Sequence, residues 1–490
     1  MVSDNSCNRL AEWKAFENRM GFTVYTSVNE AHIPRILDFI YDTYILPLGY
    51  RILRVERFRD FLGEALRFTI ALDRGYVHVE IRASKILEFT IVWEGPVDRY
   101  TIEQIREDLI IAVRMFEDTI RKSSVFFTFV ENSSPVPEKL MAKRRIVERI
   151  FTDSMITFFV AFLIVNMVIF MINPVLAPIA IVVLQFCILL FSHKIIMSLG
   201  DWKITARNQH VTILQYYMSP DEYRMLLDMI KVKGRNWLYQ VKREIYEKTI
   251  VLGGRIDPNV VGEVLSRHGI PFRPENLKVK TFNVYRLVKE AVEEYGLPMP
   301  NIVLSNIIIP NASASGIGPR FGTVMVTAGL LASLEEGEVY AVLNHELSHL
   351  KGRDPVFLFT ISTLEYLFRL YVLLPMMPFI LFLPYVYFFF VMGLIYFIGK
   401  FFEAKSDLEA AIKTRQPQLL AEALRKIGYY RLRLERSPGY RLQSWIGWDP
   451  HPPLSFRIKR LENLKDLDRI KHPFLRSIVD VLKGFFEAIM

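Results

Sequence analysis

Cysteine is nearly absent. The 490 residues hold two, Cys7 near the start and Cys187 in an apolar run. A disulfide framework is excluded, and a reducing compartment is expected. The opening stretch, MVSDNSCNRLAEWKAFENRM, lacks an apolar core, so no cleaved signal peptide is expected. Charge of one sign is also scarce. Lys and Arg number 61 against 52 Asp and Glu, a formal net charge of +9. No patch interleaves basic and aromatic residues, so nucleic acid is not expected as a partner, and the surplus suits a membrane-facing surface. What is abundant is apolar: 51% of residues are hydrophobic and 13% aromatic, which excludes disorder and is high for a purely soluble chain.

The apolar residues concentrate in four runs, at about 154–172, 179–198, 356–374 and 379–399. Each approaches the roughly 20 residues that a helix needs to cross a bilayer. NPVLAP joins the first two and PMMP the last two, and neither turn carries a charge. The basic flanks lie at the other ends: Lys139 to Arg145, then His193, Lys194 and Lys203, then Lys351 and Arg353, then Lys400 and Lys405. The excess of positive charge on one side predicts that 1–150, 200–355 and 400–490 share the cytosolic face. Glu365 and Arg369 fall inside the third run at i, i+4, where a pair is expected because a lone charge is expensive.

Before the first run, YRILRVERF, ALRFTIALD, YVHVEIRA and ILEFTIVWEG alternate apolar and polar residues as strands do. Helical periodicity precedes them at 33–45 and follows at 101–123. No catalytic motif occurs there, and His78, mid-strand, is expected to be a packing or surface residue. ENSSPVPEK (131–139) reads as a linker.

The chemistry-bearing motif is His345-Glu346-Leu347-Ser348-His349. On a helix, a spacing of four puts both imidazoles on one face, able to share a metal, with Glu346 close enough to take a proton from an attacking water. Ser333 and Glu336 suggest a capping box at the start of this helix, and Gly352 with Pro355 a stop. A catalytic zinc wants three protein ligands and an open position. His32 and His78 belong to the first domain and His193 ends a span. Glu403, in FFEAKSDLEAA, continues the fourth apolar helix and is the better third ligand. By spacing alone it could equally be the first solvated residue after a membrane helix. Asp407, one turn further on the same face, is placed to support a ligand imidazole, while Glu409 points elsewhere. The arm lengths put the site roughly 5–12 Å from the membrane boundary.

NHELSHLKGRD, two spans, EAKSD (403–407) and HPPLSFRI (451–458) together resemble the HtpX-type membrane zinc metallopeptidases, relatives of the CAAX prenyl proteases. VYRLVKEAVEEYGLPMPNIVL (284–304), NASASG (311–316) and VMVTAGLL (324–331) fit as well. The resemblance covers about 140–470 and leaves 1–130 outside. It implies one Zn2+ per chain held by His345, His349 and Glu403, with Glu346 as catalytic base and Asp407 in support. Ser406 stands where the family usually has alanine. His451 and Arg457 match the family's His-Pro and following Arg; His451 would donate to the oxyanion or else brace the site. Asn311, Ala312 and Ser313 would belong to an edge strand that takes an extended peptide, if NASASG is not simply a turn-rich connection. Whether Trp445 and Trp448 line the cleft or rest at the membrane interface stays open.

The expected architecture is α+β: a membrane-anchored zincin-like metalloprotease domain with four transmembrane helices in two hairpins, plus an N-terminal soluble α+β domain. The expected segments are 1–130 (accessory domain), 131–153 (basic linker), 154–198 and 356–399 (hairpins), and 199–355 and 400–490 (protease). The expected protein is a multi-pass cell-membrane zinc endopeptidase with both termini and its active site in the cytosol. Its partners would be the bilayer and polypeptide substrates, foremost membrane proteins in quality control. The alternatives are a prenyl-protein processing protease, or a non-catalytic membrane adaptor with a structural zinc.

Overall fold

The computed structural model describes residues 18–26, 28, 32–60, 63–84, 86–136, 155–373, 383–437 and 439–489. Cys7, the basic run Lys139–Arg145, most of the 131–153 linker and the PMMP turn lie outside them.

The chain divides into two units. The first holds residues up to Val125 with 216–227 and 271–278. Its sheet contains β1 (Arg19–Val24), β2 (Ile52–Asp60), β3 (Gly63–Leu72), β4 (Gly75–Ala83) and β5 (Leu87–Glu94), in the order β1-β5-β4-β3-β2 with antiparallel neighbours. Alternation decides its two faces. Leu66, Phe68 and Ile70 of β3 with Val77, Val79 and Ile81 of β4 join Ile36, Leu37 and Ile40 of helix Ile33–Ile40 and Ile102, Leu109 and Val113 of helix Arg99–Lys122 in one core. The other face of these two strands carries charge, with Glu80 paired to both Arg67 and Arg82. His78 is held between Thr69 Oγ1 at 2.9 Å and Glu94 Oε1 at 3.2 Å, a cross-strand packing role.

The second unit begins with β6 (Ser124–Val130), the greater part of which belongs to it. Two apolar helices follow, Met155–Ile172 and Ala177–Leu199, with the Asn173 side chain accepting from the backbone N–H groups of Val175 and Leu176 in the turn between them. Strands β7 (Trp202–Ile204), β8 (His210–Tyr217) and β9 (Leu277–Asn283) come next, then β10 (Asn301–Ser305), β11 (Ala312–Gly316) and β12 (Gly322–Thr327). The sheet that matters for the site runs β11-β12-β10-β7, with β10 and β12 parallel and β11 on an edge, antiparallel to β12. Helix Glu336–Gly352 packs against β11, helix Val284–Tyr295, helix Leu383–Thr414 and helix Pro417–Glu435.

Two local expectations need correcting. The capping box at the start of helix Glu336–Gly352 is made by Glu335 and Glu338, with Glu335 N–H donating to Glu338 Oε2 at 2.8 Å. Ser333 instead ends a separate short helix, Ala328–Ser333, whose N-terminus Thr327 caps. The helix stop is also not made by glycine geometry: Arg353 takes the left-handed conformation (φ 52°), and helix Asp354–Phe368 restarts at once with Pro355 in its first turn.

Among the described residues, two helices are long and apolar enough to cross a membrane by length and composition: Ala177–Leu199, mean hydropathy 2.3, and Asp354–Leu373, mean hydropathy 1.5. The fourth apolar run leads into one uninterrupted helix of 32 residues, Leu383–Thr414.

Candidate metal centre

Three elements build the site. Helix Glu336–Gly352 brings His345, Glu346 and His349; helix Leu383–Thr414 brings Glu403 and Asp407; the segment before helix Leu454–Glu462 brings His451. The two long helices pack against each other, and both carry small or apolar buried residues beside the site, Ala341 and Leu347 on one and Ala404 and Leu408 on the other. Helical periodicity then does what spacing predicts. The Nε2 atoms of His345 and His349 are 3.3 Å apart. Glu403 presents Oε2 at 3.5 Å from His345 Nε2 and Oε1 at 3.4 Å from His349 Nε2.

That triangle fits a metal. Two donors each about 2.0–2.1 Å from one zinc ion at a tetrahedral angle stand about 3.3–3.4 Å apart. The donor set is two imidazoles and one carboxylate, a set suited to zinc. Glu403 Oε2 is also buried without a hydrogen-bond partner, an expensive state that a cation removes.

Supporting contacts hold each ligand. His345 Nδ1 lies 3.0 Å from Asp407 Oδ1, which supports the imidazole. Asp407 is itself gripped by Arg457, whose Nε and one terminal nitrogen donate to its two oxygens at 2.8 and 2.7 Å. Arg457 is buried and also approaches Glu403 Oε2 to 3.4 Å. His349 Nδ1 contacts Asp354 Oδ2 at 2.9 Å, and Lys405 Nζ donates to both Asp354 oxygens at 2.8 Å. Gly352 leaves room for this pair, since a methyl there would overlap Asp354 Oδ1 and Lys405 Nζ.

Sequence reading missed Asp354 and Lys405. The available signal was a lysine between Glu403 and Asp407, on a helix just clear of an apolar run, and an aspartate before Pro355. Glu409 does point elsewhere, accepting from Ser348 Oγ at 2.8 Å and pairing with Lys351.

Charge follows from this packing. Burial alone would drive the His349 imidazolium to lose its proton, yet the carboxylates of Glu403 and Asp354 outweigh burial and push its pKa up to about 10. His345 moves the same way, burial being outweighed by Asp407 and Glu403. Burial would raise Glu403, but His451, His349 and His345 hold it well below the ordinary carboxylate range. Asp407 is lowered against burial chiefly by Arg457. Glu346 is raised by burial.

Glu346 sits beside the ligands and on the edge strand: Ala314 N–H donates to Glu346 Oε2 at 2.9 Å. In an antiparallel strand alternate residues turn their backbone groups the same way, so Ala312 presents its own on the open side with Ala314. Asn311 is tied back to Thr327, its N–H donating to Thr327 Oγ1 at 2.9 Å, and Ser313 Oγ is buried without a partner. His451 Nε2 lies 3.6 Å from Glu403 Oε1, and its Nδ1 contacts Asp449 Oδ1 at 2.8 Å. Lys400, fully buried, donates to the carbonyls of Ser444, Asp449 and His451 and so holds that loop; desolvation pulls its pKa down to about 8. Trp445 is buried beside Phe456, whereas Trp448 stacks on Phe389, ring centroids 5.4 Å apart.

A paired-imidazole motif helix, a carboxylate from a second helix and a buried acid beside an edge strand define a metallopeptidase site. Residues 279–465 match the model of peptidase family M48, and the chain is similar to proteins named as HtpX protease homologues. A "Protease HtpX homolog" of Paraburkholderia phytofirmans is 46% identical over 78 residues, 16% of this chain and 27% of that one. Another, of Thermoanaerobacter pseudethanolicus, is 29% identical over 227 residues, 40% of this chain and 75% of that one. A third, of a Sulfurihydrogenibium species, is 41% identical over 71 residues, 14% of this chain and 24% of its own. The chain thus spans about a quarter of two of these relatives and three quarters of the other. The crystal structure of S. mikatae Ste24p aligns over 74% of each chain at 14% identity and a TM-score of 0.33.

Proposed function

We propose that the protein is a membrane-bound zinc endopeptidase working at the cytosolic surface of the cell membrane, in the quality control of membrane proteins. The observation that carries the reading is the meeting of His345 and His349, on a helix that ends just before the apolar helix Asp354–Phe368, with Glu403, on a helix whose other arm is apolar. The four apolar runs are read as two membrane hairpins, and 1–130 as an accessory domain. Placing the site just under the bilayer would bring loops of membrane proteins within reach, which supports that substrate class.

A zinc ion held by His345, His349 and Glu403 would polarise the scissile carbonyl and lower the pKa of an attacking water from about 15.7 toward 7. Glu346 takes a proton from that water and passes it to the leaving amine. Ala312, with its backbone groups on the open side, pairs with an extended substrate, and Asn311 and Ser313 flank it. His451, braced by Asp449, is the donor for the developing oxyanion. Arg457 acts by positioning, because its guanidinium is spent on Asp407 and Glu403.

The primary test is metal content and casein cleavage by the full chain in detergent. One zinc per chain, with cleavage stopped by a chelator, is the expected result. Zinc without cleavage would favour the non-catalytic adaptor, and cleavage confined to prenylated peptides the CAAX-type alternative. Full activity towards soluble unfolded proteins after deletion of the apolar runs would remove membrane placement as the source of selectivity.

Two further outcomes follow from the supporting groups. Asp354→Asn and Lys405→Met are each expected to weaken zinc binding about 10–100-fold, the usual cost of losing an outer partner. Gly352→Ala should act in the same direction. Competition against a chromophoric chelator measures all three, and unchanged affinity would show that the Asp354–Lys405 pair does not orient His349. Zinc loading at pH 7 should also release protons. His349 is protonated in the metal-free state below about 10, and zinc needs it neutral. The release should shrink as pH rises through that value, and an indicator dye in weak buffer reads it.

A further inference from the structure

Helix Pro473–Ile489 contributes no residue to the metal site. One side is buried: Ser477, Val481 and Gly484 face Trp445, Phe456 and the fourth apolar helix. Arg460 locks its rotation, donating to Asp480 at 2.9 Å, to Ser477 Oγ at 2.9 Å and to the Ala404 carbonyl at 2.6 Å. The fixed rotation turns a second apolar stripe outward. Leu475, Val479, Leu482, Phe486 and Ile489 recur every three or four residues, and Val479 and Phe486 remain 59% and 57% exposed. Lys483 and Glu487 border the stripe and are themselves open to solvent.

The direction of the helix says what covers that stripe. Phe474 packs on Phe402, and Phe485 packs on Phe397, at centroid distances of 5.4 and 5.2 Å. The helix therefore runs antiparallel to Leu383–Thr414 and climbs past Lys400 toward its apolar half. Phe397 is about 5 Å beyond Lys400 along that helix. Higher on the same helix, Phe389, Phe390 and Leu394 are exposed, and Trp448 stacks on Phe389. The two exposed apolar surfaces thus continue one another.

We propose that helix Pro473–Ile489 lies in the cytosolic leaflet of the bilayer, with Leu475, Val479, Leu482, Phe486 and Ile489 against lipid. Burial of such a face about 5–10 Å into the headgroup and acyl boundary is what an interfacial amphipathic helix does. The inference rests on the reading of 379–399 as a membrane span, since continuity with that span is what selects lipid over a second protein surface. It gives the peptidase domain a contact with the membrane in addition to the apolar runs.

The test uses the full chain with Cys7→Ser and Cys187→Ala, in vesicles of phosphatidylcholine and phosphatidylglycerol. Nitroxide labels go at Val479→Cys, Phe486→Cys, Lys483→Cys and, as a reference within the span, Phe390→Cys. Circular dichroism checks that each variant is folded. Labels at 479 and 486 are expected to collide with oxygen several-fold more readily than with a water-soluble nickel chelate, as at 390, while the label at 483 shows the reverse. If 390 behaves as lipid-exposed while 479 and 486 match 483, the proposal fails and the span stands. Protection of 479 and 486 from both reagents would assign the stripe to protein, a second copy or another chain, and also overturns it. Nickel access at 390 would remove the membrane reading and this inference together. None of these readouts depends on zinc or on proteolysis.

Discussion

Glu346→Gln is expected to hold zinc as the wild type does and to lose about 10²–10⁴-fold in peptide cleavage, the range that a positioned general base contributes. That loss corresponds to about 3–5 kcal/mol of transition-state stabilisation. The substitution isolates chemistry from folding for a structural reason. The Glu346 side chain accepts a hydrogen bond from Ala314 N–H, and a glutamine oxygen accepts it equally well. Size and burial stay the same, so the edge strand and the motif helix keep their contact. What disappears is the lone pair that takes a proton, since an amide is no base near neutral pH. The amide also removes one negative charge from a buried cluster that carries two imidazoles, a change that falls on the metal less than on the proton. Zinc measured by atomic absorption beside casein cleavage separates the two effects. Cleavage at the wild-type rate would take the base role from Glu346, and loss of zinc would show that its charge, not its proton, is what the site needs.

How much of this could be read from the one-dimensional chain differs by element. The motif helix was legible because the relation between His345, Glu346 and His349 is local: helical geometry fixes it within one turn. Its boundaries were less so. Glu335 takes the cap that Ser333 was expected to provide, because Ser333 is already committed to the preceding short helix. Glu403 was reachable only by assuming that the fourth apolar run continues unbroken, which the single helix Leu383–Thr414 does. In the first unit, the β2–β5 alternation was plain, but β1 was missed. Its pattern, RMGFTV, buries only Val24 fully, and the strand exists through its pairing with β5, some seventy residues away in the chain. Asp354 and Lys405 left a signal in the sequence but no pairing, for the same reason: nothing local says that an aspartate starting one helix will meet a lysine on another beside His349. The indole pair divided as no pattern could tell, Trp445 into the core and Trp448 onto Phe389.

Glu403→Ala is expected to cost zinc affinity more than any change in the supporting residues, by at least about a hundredfold against their 10–100-fold. The carboxylate does two things at once. It is one of the three proposed ligands, and it offsets positive charge in a pocket where Arg457 approaches to 3.4 Å and His451 to 3.6 Å. With alanine there, Arg457 keeps Asp407 as partner but its field on the ligand position is no longer balanced, so a divalent cation meets repulsion as well as a missing bond. The imidazoles also change. Glu403 is the leading reason that His349 titrates high, so its removal should lower the number of protons released on loading, even where some zinc still binds. Glu409→Ala, further along the same helix, serves as the control, since Glu409 is occupied with Ser348 and Lys351 and should leave zinc unaffected. Metal analysis after equilibrium dialysis reads both variants. Retention of zinc at wild-type occupancy by Glu403→Ala would place the third ligand elsewhere, and with it the claim that the fourth apolar helix carries one ligand of the site. Equal losses in the two variants would instead mean that the helix, and not the carboxylate, is what the metal requires.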